Sequence, residues 1–232
     1  GEASLDAVTT GSDNTAVGDN AGGALTTGGN NVAVGSGALL ANTTGDYNVA
    51  LGANSLDSNT TADYNVAVGY GALQANITTA NNTALGHAAL YTNIAADNTG
   101  LGYRAMYANS TGANNVAIGS SALTANTTAS TNTAVGSGAL EANTTGDRNV
   151  AIGYQALKTN TVGDRSVAVG YSALYTQNPA SNTDMANVAI GNLSMYSTTT
   201  GTNNTGVGFN SMFANTTGAE NVAVGRLALQ AN

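Results

Sequence analysis

The sequence has no cysteine, no tryptophan, one proline and one histidine among its 232 residues. Without cysteine it can form neither disulfide bonds nor thiolate metal sites, and a single histidine leaves few routes to nucleophilic catalysis or zinc binding. No stretch approaches the ~18 consecutive apolar residues of a membrane-spanning helix, and no signal peptide is visible. We therefore expect no catalysis, no cofactor, no metal and no membrane insertion.

Charge is equally scarce. Only 8% of residues are charged, 13 of them acidic and 5 basic, which gives a net charge of −8. The basic residues form no patch in the sequence, and this argues against a nucleic-acid partner. So few charges would indicate disorder if the apolar residues were scattered. They return at fixed positions instead, which indicates an ordered chain.

One short phrase, Asn-Val-Ala-Val-Gly and its variants, occurs thirteen times, and ten of the twelve steps between copies are 17 residues. The copies begin at Asn14, Asn31, Asn48, Asn65, Asn82, Asn98, Asn115, Asn132, Asn149, Ser166, Asn187, Asn204 and Asn221. A unit this short cannot bury a core alone, so it must stack on its neighbours. The repeat predicts an all-β parallel β-solenoid, or β-roll, of about thirteen 17-residue coils.

Within each unit we number the first residue of the phrase, usually Asn, as position 0. Position 1 is Val or Thr, position 3 is Val, Leu or Ile, position 2 is Ala except at Gly100 and Gly206, and position 4 is always Gly. β-branched residues favour extended backbone, and positions 1 and 3 share one side of a strand. We predict a short strand with positions 1 and 3 facing inward, followed by a sharp corner at the glycine.

A second anchor follows the corner. Position 7 is always Ala or Ser, and position 8 is Leu or Met in twelve of the thirteen copies. The pattern does not distinguish a second strand from a single helical turn over positions 4 to 10. Neither end resembles a cap, so the sequence predicts one continuous repeat domain over residues 1–232, uncapped at both ends. Such a domain is either part of a longer array or stacks end to end as a filament.

Several residue types recur in rows that could carry a function. The Asn at position 0 predicts a ladder of side-chain amides stacked between coils. Asn-x-Ser/Thr triplets are candidate glycosylation sites, or simply favourable turns; they begin at Asn42, Asn59, Asn76, Asn109, Asn126, Asn143 and Asn215. Acidic residues at position 15, such as Asp46 and Asp63, indicate turns more than a row of calcium ligands.

Aromatic residues gather at positions 5 and 9. The candidate surface-contact residues are those at position 9: Tyr91, Tyr107, Tyr175, Tyr196 and Phe213. They form either a packing stripe or a stripe that binds sugar or another surface. The single histidine, His87, lies at position 5 and is interpreted as a surface variant. Flat rows of threonine also make ice binding an alternative, although the paired threonines are adjacent and would point in different directions.

The phrase Asn-Val-Ala-Ile-Gly at 115–119 and 149–153 resembles the head repeats of trimeric autotransporter adhesins. The longer form at 132–146 resembles repeats of bacterial surface proteins and phage tail-fibre proteins. This resemblance covers essentially the whole chain. It implies a β-roll, often trimeric, displayed on a cell or virion surface to bind another surface.

Two function hypotheses follow. The first is a structural and adhesive extracellular fibre or filament segment whose partners are copies of itself, either stacked end to end or as a homotrimer. The second is a glycan- or ice-binding module with a lateral aromatic or Thr face, whose partner is a glycan of a host surface.

Overall fold

The computed structural model describes residues 1–231 and is a parallel β-solenoid without any helix in that range. The predicted fold class is therefore confirmed. The chain forms two compact units, Gly1–Asn114 and Asn115–Asn232, and each consists of coils that contribute one three-residue strand apiece to a parallel sheet.

In unit 1 each strand pairs with the next one along the chain. The strands are β1 (Thr15–Val17), β2 (Val32–Val34), β3 (Val49–Leu51), β4 (Val66–Val68), β5 (Thr83–Leu85) and β6 (Thr99–Leu101). All pairs are parallel and in register, so that Val49 lies beside Val66 and like residues meet like. The predicted stacking of equivalent positions is confirmed.

Unit 2 repeats this arrangement with one addition. Its main strands are β7 (Val116–Ile118), β8 (Thr133–Val135), β9 (Val150–Ile152), β11 (Val167–Val169), β13 (Val188–Ile190), β14 (Thr205–Val207) and β15 (Val222–Val224). A separate parallel pair joins β10 (Gly163–Asp164) to β12 (Thr183–Asp184). This pair flanks the 21-residue step between Ser166 and Asn187, where four extra residues extend the coil.

The predicted orientation of the strands is wrong. Position 2 points into the core: Ala50, Ala67 and Ala84 are fully buried. The aliphatic residues at position 3 point outward, and Leu85 and Val17 are 50% and 57% exposed. The solenoid core therefore lies beneath the small residues of each strand, while the larger residues at positions 1 and 3 form the outer face of the sheet.

Thin coils explain this orientation. The buried Leu or Met at position 8 packs directly beneath the strand, which leaves room for a methyl group and little more. At Gly206 even a Cβ atom would lie 2.8 Å from the Cγ of Met195, and at Gly100 it would lie 3.1 Å from the Cγ of Leu90. The prediction of position 8 as a core anchor is confirmed, since Leu90 and Met195 are fully buried.

The segment after the corner is neither a second strand nor a helical turn. Two consecutive turns form it: Ala89 N–H donates to the carbonyl of Gly86, and Asn93 N–H donates to that of Leu90. Ala88 and Leu90 have φ angles of 53° each, in the left-handed region. Such backbone is uncommon outside glycine. It recurs because the N–H groups of this segment bond to adjacent coils, for example Ala88 N–H to the carbonyl of Tyr70.

The glycine at position 4 is required twice over. Gly52 has a φ angle of 133°, and a Cβ there would lie 2.7 Å from the carbonyl carbon of Gly69 in the next coil. Both the backbone conformation and the close approach of successive coils exclude a side chain. The predicted glycine corner is confirmed.

The Asn ladder at position 0 exists, but its bonds run differently from the prediction. Asn48 is fully buried, and its Oδ1 accepts the backbone N–H of Asn65 at 3.0 Å. Its Nδ2 donates to the carbonyl of Ala62 at 2.8 Å. Asn132 in unit 2 repeats this pattern with Asn149 and Gly146. The amides thus connect mainly to backbone groups of the next coil, and satisfy polar atoms that the strands leave inside the core.

Ser166 interrupts this ladder, and a second substitution compensates for it. Gln177 replaces the usual Asn at position 11. Its Nε2 donates a hydrogen bond of 3.0 Å to the Oγ of Ser166. Its Oε1 accepts a hydrogen bond of 2.9 Å from the Nδ2 of Asn187. The longer amide spans the gap left by the shorter hydroxyl. Met185, which lies within the extended coil, is fully buried.

Candidate functional site

No metal centre occurs among residues 1–231, where no three His, Asp or Glu side chains are grouped so as to hold an ion. The acidic residues at position 15 bond to backbone. Asp63 Oδ1 accepts the N–H of Asp46 at 2.7 Å, and Asp164 Oδ1 accepts the N–H of Asp147 at 2.7 Å. These carboxylates fix the turns that return the chain to the next strand, as the turn interpretation expects.

The candidate glycosylation sites are inaccessible in the folded chain. Their asparagines are at most 2% exposed; they are Asn42, Asn59, Asn76, Asn109, Asn126, Asn143 and Asn215. They form a second internal ladder, in which Asn59 Nδ2 donates to Asn42 Oδ1 at 3.0 Å and to the carbonyl of Ala62 at 3.1 Å. A glycan on such an amide would have to displace the core, which favours the turn interpretation of these triplets.

The first threonine of each pair is likewise engaged within the solenoid, while the second, such as Thr44 or Thr61, is exposed. The first threonine of a pair donates through Oγ1 to a carbonyl of the following coil, as Thr43 does to Thr60 at 3.0 Å and Thr144 does to Thr161 at 3.0 Å. These hydroxyls satisfy backbone acceptors. Two other lateral features are accessible to solvent, the sheet face and the aromatic columns.

We define the sheet face as the side chains at positions 1 and 3 of the strands in each unit. It contains only Val, Ile, Leu and Thr. In unit 1 Val17, Val34 and Leu85 are 57%, 36% and 50% exposed, and in unit 2 Ile152 and Ile190 are 40% and 41% exposed. Each unit thus presents to solvent a regular apolar surface without a single charge.

Aromatic side chains of unit 1 stack in columns along the coils. At position 5, His87 lies between Tyr70 and Tyr103, with ring centroids 5.4 and 5.5 Å apart. At position 9, Tyr91 and Tyr107 stack at 5.2 Å. Like rings meet because like positions lie in register, and the offsets are typical of favourable aromatic pairs.

Unit 2 has two comparable columns. Tyr154 stacks on Tyr171 at 5.4 Å, while Tyr196 stacks on Tyr175 at 5.1 Å and on Phe213 at 5.4 Å. The residues at position 9 are half-buried in both units, whereas Tyr154 and Tyr171 at position 5 are exposed. The candidate surface-contact residues at position 9 therefore form the less accessible of the two columns.

The two columns of unit 1 enclose a groove, which we call the aromatic cleft. It has a volume of about 320 Å³ and is lined by Tyr70, His87, Ala88, Tyr91, Tyr103, Arg104 and Tyr107. The guanidinium of Arg104 lies 4.2 Å from the ring centroid of Tyr107, a cation–π contact. The cleft thus combines ring edges, hydroxyls, one imidazole and one permanent positive charge.

Sequence reasoning found Tyr91 and Tyr107 but missed the contribution of His87 and Arg104. The sequence interpretation treats His87 as a surface variant and does not single out Arg104 among the five basic residues. The signal that would have found them is the repeat itself: positions 5, 6 and 9 of successive coils must lie side by side once the coils stack in register.

The chain matches no known protein family, no characterised protein and no solved structure. No helix that could cross a membrane occurs in the described part of the chain.

Proposed function

We propose that this chain is a structural and adhesive segment of an extracellular fibre, and that it associates laterally with copies of itself through the sheet face. The single observation that carries the proposal is a regular, uncharged aliphatic surface whose side chains are exposed or half-buried on every described coil.

Exposed apolar patches of this kind mark interaction sites in soluble proteins. Burying such a surface contributes about 25 cal/mol per Å², and no charged group has to lose its water in the process. A second copy is the partner that fits best, because it presents the same row of side chains at the same spacing of ~4.8 Å per coil. A two-fold contact between identical faces closes into a dimer, and three such faces packed around a three-fold axis, with a different edge of the face on each side of every contact, close into the expected homotrimer.

Sedimentation velocity over a range of protein concentrations tests this proposal. The wild-type chain should sediment as an oligomer, whereas a variant with Val34→Lys and Leu85→Lys should be a monomer, because two charges would be buried without partners. A matched control carries Ile77→Lys and Ile94→Lys. These isoleucines are 48% and 47% exposed but lie outside the sheet face, so the control should keep the wild-type oligomer.

Two results would count against the proposal. One is a wild-type chain that stays monomeric at every concentration, and the other is an equal loss of assembly in both lysine variants. A discrete trimer would favour the sheet face as a closed interface, and open-ended polymers in electron micrographs would favour end-to-end stacking instead.

The aromatic cleft favours a second candidate function, carbohydrate binding. It is a concave groove with polar and aromatic walls, of the kind that small ligands occupy. The two functions are compatible, since the cleft and the sheet face consist of different residues.

A further inference from the structure

We propose that the aromatic cleft of unit 1 binds a neutral carbohydrate, and that Ala88 forms the floor on which the sugar lies. This inference rests on the second candidate function, carbohydrate binding, and adds the chemical class of the sugar and the residue that admits it. It does not depend on self-association, because none of the residues that line the cleft belongs to the sheet face.

The floor of the cleft is low at Ala88, which lies between the two aromatic columns. Other coils carry longer side chains at this position 6, such as Gln155 in unit 2. Ala88 has only a methyl group and is 4% exposed, as expected for the bottom of a groove. The cleft volume of about 320 Å³ lies at the lower end of the range of ~300 to 1,000 Å³ observed for ligand sites. The groove therefore has room for one or two sugar rings.

Side chains close this floor at both ends. In the preceding coil a Cβ atom at Gly71 would lie 3.2 Å from the Cε2 of Tyr91, so the ring of Tyr91 covers position 6 there. In the following coil Arg104 occupies position 6, and its guanidinium lies 4.2 Å from the ring centroid of Tyr107. The open floor is thus confined to Ala88, and a ligand that enters the cleft has to lie over this residue.

The walls of the cleft are polar as well as aromatic. The ring of His87 is stacked on both faces, by Tyr70 and Tyr103, so this wall presents ring edges and polar atoms to the groove. Phenol hydroxyls and imidazole nitrogens donate and accept hydrogen bonds. A ligand with many hydroxyls and some apolar C–H groups satisfies such walls, whereas a purely apolar ligand would leave their polar atoms without partners.

The charges around the cleft favour a neutral ligand. Unit 1 contains eight acidic residues and one basic residue, so its electrostatic field repels an anion. The basic residue, Arg104, is among the residues that line the cleft, and no acidic residue is. A cation in the cleft would therefore lie close to a like charge. A neutral compound with many hydroxyl groups avoids both penalties, and a carbohydrate is such a compound.

The single histidine makes the test direct, because the ring signals of His87 in a proton NMR spectrum report on the cleft alone. The full chain is titrated to millimolar concentrations with three neutral sugars, which are cellotetraose, mannotetraose and the methyl ester of a galacturonic acid tetramer. The free acid of that tetramer is the charged counterpart. We expect saturable shifts of the His87 signals with at least one neutral tetramer, and much weaker shifts with the free acid.

Ala88→Gln should weaken binding on the order of tenfold or more, because the longer side chain fills the floor while every residue of the walls stays in place. The backbone tolerates this change, since Gln155 occupies the equivalent position with a φ angle of 55°, against 53° for Ala88. Ser121→Gln is the matched control. Ser121 lies at position 6 of a coil in unit 2 with a φ angle of 57°, so this variant should bind like the wild type.

Tyr103→Phe tests the walls, because it removes one hydroxyl and keeps the ring. The loss of one neutral hydrogen bond should weaken binding about two- to tenfold. Tyr171→Phe is the matched control, since Tyr103 and Tyr171 both lie at position 5 and are both 51% exposed, but Tyr171 belongs to unit 2. Unaltered backbone spectra of all four variants would establish that they are folded.

The proposal is overturned if no neutral tetramer gives saturable shifts, if the free acid binds at least as tightly as the tightest of them, or if Ala88→Gln or Tyr103→Phe binds like the wild type. Absence of binding by all four sugars would also remove carbohydrate binding as a candidate function, whereas tighter binding of the free acid would remove only the neutral class. Self-association is measured separately with the lysine variants of the sheet face, so its failure is distinguishable from both results.

Discussion

At the scale of single residues, the solenoid depends on side chains that fit between successive coils. Gly52 and its equivalents allow backbones to approach, and Asn48 and its equivalents join one coil to the next through buried hydrogen bonds. Both rows were predictable from the sequence, because an exact 17-residue recurrence of Gly or Asn implies a role repeated in every coil. The bonding partners of Asn48 were not predictable, since they lie in a turn whose path the sequence leaves open.

Gly52→Ala should destabilise the chain by about 3 kcal/mol or more, since it combines a backbone conformation restricted to glycine with a clash between main chains. Gly138→Ala is the matched control. Gly138 has a φ angle of 66°, and Gln155 occupies the equivalent position of the next coil with a φ angle of 55°, so this change should cost ~1 kcal/mol. Urea denaturation measures both, and equal losses would contradict the assigned role of position 4.

Asn48→Ala should lower the free energy of unfolding by about 2–4 kcal/mol, because the buried N–H of Asn65 and carbonyl of Ala62 lose their partners. Thermal or urea denaturation provides the measurement. Thr61→Ala, a truncation at an exposed turn residue, serves as the control and should change stability by less than ~0.5 kcal/mol. A loss at Asn48 no greater than that at Thr61 would argue against an internal ladder.

At the scale of the strand, sequence reasoning found the element and its boundaries but placed the wrong side inward. The rule that larger apolar residues face the core fails here, because the coil is too thin to hold two aliphatic layers beneath one strand. The sequence does contain the correcting signal. Position 2 never exceeds Ala in size, which indicates close packing, whereas position 1 exchanges Val for Thr in five copies, which indicates contact with water.

Three substitutions in one coil test this orientation. Ala84→Val should cost about 1–3 kcal/mol through overpacking, and Leu90→Ala about 2–5 kcal/mol through a core cavity. Leu85→Ala removes a side chain that is 50% exposed, so we expect a loss of about 1 kcal/mol or less. Urea denaturation, at a protein concentration where the chain is monomeric, measures the free energy of unfolding of all three variants. If Leu85→Ala lowered the free energy of unfolding as much as Leu90→Ala does, the result would support the opposite orientation, with position 3 in the core.

The turns after the corner were the least predictable element. Alternate residues of this segment, such as Ala88 and Leu90, adopt the left-handed backbone conformation, which residues other than glycine normally avoid. They keep it only because hydrogen bonds to adjacent coils stabilise it. A single repeat contains no information about those bonds. Sequence reasoning therefore left a second strand and a helical turn open, and both alternatives are wrong.

At the scale of the whole molecule, the outward aliphatic row changes the functional argument. A face that was expected to form the core becomes the surface proposed for self-association, while the buried Asn-Thr-Thr asparagines no longer support a glycoprotein. The aromatic rows remain exposed at position 5 and half-buried at position 9, and the cleft depends on residues from adjacent coils that no single repeat brings together.

The central claim is that successive coils stack in parallel register, and disulfide trapping tests it most directly because the chain has no cysteine of its own. Val49 and Val66 are register partners on one face, and adjacent strands lie ~4.8 Å apart, within the Cα separation of ~4.4–6.8 Å that a disulfide spans. Val49→Cys with Val66→Cys should therefore form an intramolecular bond on mild oxidation, detected by mass spectrometry of peptides. Val49→Cys with Ala67→Cys, whose side chains leave opposite faces, should not; equal yields from the two pairs, or no bond in either, would contradict the account.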